Sequence, residues 1–64
     1  MMLKELKKGE LFTKKSIEYP NDNQVFIKSD YDRTSKKYAC IRYSDYNDIL
    51  YIKGNKEIFT DFIF

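Results

Sequence analysis

The residues able to do chemistry gather in one stretch, Tyr31-Asp-Arg-Thr-Ser-Lys-Lys-Tyr-Ala-Cys40, with Asp30 just before it. Carboxylates, cations, phenol rings and a thiol lie within eleven positions. Cys40 is the single cysteine, and the chain has no histidine. A thiol with no imidazole to deprotonate it, in the middle of a strand-like run, reads as a small buried hydrophobe rather than a nucleophile. Asp30-x-Asp32-x-Thr34 opens like a calcium loop, but Ser35 stands where such a loop needs glycine, and Lys36 follows. A cation there would face Arg33, Lys36 and Lys37. The aspartates are expected instead to bond backbone N–H groups of their own turn. Asp45 with Asp48, and Glu57 with Asp61, are spacings common on any surface. Gly9 and Gly54 are the only glycines, too few for a phosphate-cradling loop. No enzymatic activity, metal or cofactor is expected.

One binding chemistry does fit the stretch. Tyr31, Arg33, Lys36, Lys37, Tyr38 and Arg42 interleave rings that could stack on bases with cations that could pair with phosphates, the combination used by single-strand binders. Lys7, Lys8, Lys14 and Lys15 could extend a basic rim. Against this stand Asp30, Asp32, Asp45 and Asp48, which would repel phosphate. Cross-strand tyrosine pairs also stabilise a sheet by themselves, at ~0.2–1 kcal/mol each. Twelve basic against ten acidic residues leave a net charge of only +2, mild for a dedicated nucleic-acid binder. Single-stranded nucleic-acid binding is therefore the second reading.

These residues must be positioned by a sheet. Val25–Tyr31 alternates, with Val25, Ile27, Ser29 and Tyr31 on one face and Phe26, Lys28 and Asp30 on the other. A glycine-free turn at Asp32–Lys36 calls for a loop longer than two residues. Lys37–Tyr43 is the return strand. Ser44–Asp48 is a second polar turn, Ile49–Lys53 a further strand, and Gly54-Asn55 a break. Before them, Met2–Lys8 carries Leu3 and Leu6 at helical spacing, enough for a short turn that must dock to persist. Gly9 ends it, and Glu10–Thr13 reads as a first short strand. Lys14–Gln24, with Pro20-Asn-Asp-Asn23, is a surface loop. The pattern predicts an all-β domain, α+β at most, with about five antiparallel strands. It should be a meander curling into a small SH3-like or OB-like barrel behind a short N-terminal helical turn.

The last predicted strand, Lys56 or Glu57 to Phe64, adds a separate expectation. Ile58, Thr60, Phe62 and Phe64 fall on one face, and Phe59 and Ile63 on the other. A strand apolar on both faces needs cover on both. With 64 residues there is room for one domain, residues 1–64, and one modest core. An internal disulfide is impossible, so a partner chain is the natural extra support. Ile58, Phe59, Phe62, Ile63 and Phe64 are accordingly expected to form a self-association surface. No apolar run approaches the ~20 residues needed to span a bilayer, and Met1–Lys8 lacks the apolar core of a secretory signal. A cytoplasmic setting with a reduced thiol is expected.

The order Leu6-Lys-Lys-Gly-Glu10, Phe12, Val25-Phe-Ile-Lys28, Tyr31-Asp-Arg-Thr-Ser-Lys-Lys-Tyr38 with Cys40, Lys53-Gly-Asn-Lys-Glu57 and Phe59-Thr-Asp-Phe62 resembles a group of small proteins from bacteriophages and mobile elements of gut bacteria. The resemblance spans nearly the whole chain. That group has no established activity, so it implies no site residues. What it implies is a setting: a small accessory protein inside a bacterial host cell, acting by binding a host or viral protein or another copy of itself. A non-enzymatic binding protein is the leading expectation.

Overall fold

The computed structural model describes all residues, 1–64. Four antiparallel strands follow one another in chain order across a single sheet: β1 (Leu11–Thr13), β2 (Val25–Asp32), β3 (Lys37–Arg42) and β4 (Asp45–Lys53). Single turns of 3-10 helix at Leu3–Glu5 and Asp22–Gln24 are the only helical elements. The expected all-β meander is present, but it has four strands rather than five. It does not close into a barrel, because β4 pairs only with β3.

The fifth strand fails for a visible reason. Phe59 exchanges both backbone hydrogen bonds with Thr13, at 2.9 and 3.0 Å. Its neighbours find other partners. The Ile58 N–H donates to the Met1 carbonyl at 2.8 Å, Phe62 turns back onto Thr60 at 3.0 Å, and Ile63 donates to Glu18 at 2.8 Å. A ladder needs one strand as its partner over several residues. Here the segment leaves only isolated bridges, Thr13–Phe59 and Met2–Glu57.

The buried face of the sheet carries Phe12, Phe26 and Cys40, with Tyr38, Leu50 and Ile52 partly buried around them. Leu3, Leu6 and Ile58 cover this face. The Phe12 and Phe26 rings stack with centroids 5.8 Å apart. The N-terminal turn docks through Leu3 and Leu6 as its spacing demands, although the helix spans only Leu3–Glu5. Gly9 then takes φ +91°, a left-handed conformation that costs glycine little, and its N–H reaches the Lys28 carbonyl at 2.8 Å. The 14–24 segment is a loop, as expected, but its Pro20 is buried.

A one-residue bulge in β2 changes what its far half presents. Lys28 lies opposite Cys40, and Tyr31 opposite Tyr38. Three steps on β2 therefore match two on β3. The extra residue inverts the alternation, as a bulge must. Tyr31 leaves the side of Val25 and Ile27, where simple alternation puts it, and joins Phe26 and Lys28. A larger irregularity marks β4: Arg42 pairs with Asp45, while Ile41 pairs with Ile49. The turn is thus Tyr43-Ser44, and the polar residues expected to form it, up to Asp48, belong to the bulged start of β4.

Candidate functional site

The stretch from Asp30 to Cys40 is a hairpin whose two aspartates are committed to partners of their own. The Asp32 carboxylate accepts from the Thr34 N–H and the Ser35 hydroxyl, both at 3.0 Å, holding the four-residue turn. Asp30 pairs with Lys8 at 2.5 Å, on the opposite flank. The two aspartates do not converge. Lys36 adopts φ +58°, a left-handed position for a side chain with a Cβ. Tyr31 and Tyr38 pack across the strands with ring centroids 4.9 Å apart.

The six residues of the nucleic-acid reading do not form one face. Arg33 and Lys36 project from the turn, exposed. Tyr31 and Tyr38 lie on the side of the sheet that carries the core. Arg42 ends β3, about 16 Å along the strand from Lys37. Its guanidinium is also taken. Nε donates to Asp48 at 2.6 Å, Nη1 donates to the Asn23 carbonyl, and the group lies 4.9 Å over the Phe26 ring. Arg42 is a clamp between β3, the β4 bulge and the Asp22–Gln24 turn.

Beneath the hairpin sits a buried ionisable pair that the sequence pattern does not single out. Lys28 is only 5 % exposed. Its ammonium donates to the Leu6 carbonyl and lies 4.2 Å over the Tyr38 ring. Burial pushes its pKa down from the usual lysine value, while charge on Cys40 and Glu10 pushes it partly back. Cys40, its cross-strand neighbour, is fully buried. Burial raises that thiol to about 11, against the pull of Lys28. The thiol is held protonated, consistent with its reading as a core residue. A polar position at mid-strand, one turn of the pleat after Phe26, was the only available hint of the lysine.

The terminal residues divide. Ile58 is 1 % exposed and belongs to the core of its own chain, so it is withdrawn from the expected self-association set. Phe59 and Phe62 are half-buried. Ile63 and Phe64 remain outside, and Phe64 meets Tyr43 edge-on at 4.8 Å.

Two surfaces remain uncommitted. The outer side of the sheet carries a row of aliphatic residues in register across all four strands, Leu11–Ile27–Ile41–Ile49. Ala39 adjoins it, and Tyr43 with Phe64 lies at its end. Ile49 is 45 % exposed. The second surface is a pair of shallow depressions that share Lys14. One, of about 270 Å³, is lined by Lys14, Lys15, Arg42 and Phe26. The other, of about 500 Å³, is lined by Lys14, Lys37, Lys53, Lys56 and Tyr51.

Fold and surfaces together define a small all-β protein built on an open antiparallel sheet. No helix in it is long and apolar enough to cross a membrane. Comparison of the chain with protein-family models, with curated proteins and with solved structures finds no match.

Proposed function

We propose that this is a non-enzymatic binding protein that works through its outer sheet face, and that the occupant of that face is a second copy of the chain. The carrying observation is the uncovered row Leu11–Ile27–Ile41–Ile49. Apolar patches of this kind, rimmed by polar residues, mark interaction surfaces. The energetics favour an added partner: only ten of the 64 residues are buried, and no cross-link supplements them. Packing two outer faces together, sheet on sheet at ~10 Å, would double the layers around an otherwise thin core. Phe64, held against Tyr43, extends the face, so part of the terminal segment keeps a place in the contact.

Sedimentation equilibrium tests this directly. The wild-type mass should rise with concentration from 7.8 kDa toward twice that value. Ile49→Lys, at a position already half in solvent, should hold the protein monomeric with its far-UV circular dichroism unchanged. A wild-type chain that stays monomeric up to millimolar concentration would end the proposal.

A further inference from the structure

Lysines far apart in sequence line two depressions that share Lys14, and none of them forms an ion pair. Lys37 and Lys53 are direct register partners on β3 and β4. Like charges placed opposite each other repel and destabilise a sheet. Lys56 follows in the turn after β4, and Lys14 reaches the same depression from the end of β1. The chain's ion pairs are Lys8–Asp30 and Arg42–Asp48, so Lys14, Lys15, Lys37, Lys53 and Lys56 have no carboxylate partner. Glu57 is the one carboxylate lining either depression.

The whole-chain charge hides this segregation. Twelve cations and ten anions give +2. With the mutually neutralised Arg42–Asp48 pair set aside, five lysines and Glu57 make the trough +4, which leaves six cations and eight anions, a net of −2, for the rest of the molecule. A strong local field on a weakly charged protein is a device for binding anions rather than for solubility. Rings accompany the lysines. Tyr51 lines the larger depression and is 54 % exposed. In the smaller one, Lys14 lies 5.1 Å from the centre of the Phe26 ring.

We infer that the trough binds single-stranded nucleic acid. Phosphates would lie along Lys14, Lys37, Lys53 and Lys56, and a base would stack on Tyr51. Single strands are favoured over duplex because the exposed ring offers stacking that a paired base cannot accept. They are favoured over other polyanions because only bases use the ring. This site shares just Lys37 with the hairpin set Tyr31, Arg33, Lys36, Lys37, Tyr38 and Arg42. It adjoins the outer aliphatic row: Tyr51 pairs with Ala39 and stands two residues from Ile49 on the same sheet face, so a strand in the trough and a second copy on the row would compete.

Fluorescence anisotropy with a labelled oligothymidylate tests the inference on the full chain, with a DNA duplex and inorganic polyphosphate as competitors. Four phosphate contacts predict a log–log salt slope of about −3, at ~0.7 per contact on a single strand. Lys53→Gln and Lys56→Gln should each lower the slope by about 0.7 and the affinity roughly tenfold at ~50 mM salt. Tyr51→Ala should weaken binding by about 5- to 100-fold without changing the slope. Lys8→Gln, outside the trough, should change neither. Thermal melts followed by circular dichroism establish that each variant is folded. The inference is overturned by absence of binding at low salt, by equal or stronger competition from duplex or polyphosphate, or by loss of binding on Arg33→Gln and Lys36→Gln but not on the trough variants. Repeating the titration with Ile49→Gln, which disrupts the row without adding a cation beside Tyr51, separates this result from the self-association proposal: binding should persist or strengthen when the dimer is lost, with the salt slope unchanged.

Discussion

Raising the pH from 7 to 10 should weaken this fold through Cys40. The thiol titrates at 9.0 in the unfolded chain and is pushed to about 11 by burial in the fold. The folded form thus keeps its proton where the unfolded form loses it. The stability held below pH 9 falls as the pH rises and levels off above about 11. The full loss is about 3 kcal/mol, and roughly half of it has accrued by pH 10. That is large for a domain of this size, whose total stability is roughly 3–10 kcal/mol. Lys28 acts in the opposite sense. Its folded pKa is lowered, so its contribution rises as the pH climbs toward the unfolded value of 10.5. Comparison with Cys40→Val, in which Lys28 still titrates, cancels that contribution to first order and keeps the position apolar; the cost of the larger side chain is the same at every pH and drops out of the comparison. Urea unfolding followed by circular dichroism at several pH values gives the two stability curves. The difference between wild type and Cys40→Val should move by about 1–2 kcal/mol in favour of the variant between pH 7 and 10. A difference that stays constant would refute the reasoning, because it would mean that the thiol ionises as readily in the fold as outside it.

Three substitutions probe other parts of the molecule by chemical denaturation. Gly54→Ala should cost about 1–3 kcal/mol, because the new Cβ would stand 2.9 Å from Tyr38 Cε2 and 3.1 Å from Lys4 Cβ; an unchanged midpoint would show that the turn gives way freely. Lys36→Gly should stabilise by up to about 1 kcal/mol by relieving the left-handed backbone at φ +58°, and a loss of stability would contradict that conformation. Arg42→Lys should cost about 1–3 kcal/mol, since lysine cannot reproduce the hydrogen bonds to Asp48 and Asn23 together with the contact over Phe26. A negligible effect would remove Arg42 as a clamp.

What the sequence could reveal depended on whether the signal was local. The Val25 and Lys37 strands and the turn between them follow from alternation and turn chemistry, and Asp32 uses its carboxylate as those rules expect. The side of Tyr31 was not legible, because the bulge before it carries no glycine or proline to announce it. Ser44–Asp48 looks like a turn by composition, yet most of it sits inside β4, where pairing with β3 overrides residue preference. Phe59–Phe64 has the alternation of a strand but lacks a single partner to pair with along its length. The lysine trough was the least visible. Its members stand at positions 14, 37, 53 and 56, and only the register of β3 and β4 and the path of the chain after β1 bring them together.

The bridge between Met2 and Glu57, with the hydrogen bonds from Ile58 to Met1 and from Leu3 to Lys56, lays the two flanking segments side by side over the buried face. Leu3, Leu6 and Ile58 therefore share a core although more than fifty positions separate them along the chain. A chain that already contains Leu3, Leu6 and all four strands still has its apolar face only partly roofed until Ile58 is added. Folding of this sheet is thus completed by the arrival of Ile58, with the slow closure expected of contacts so distant in sequence. Until then the exposed strands are open to chaperones, to proteases and to one another.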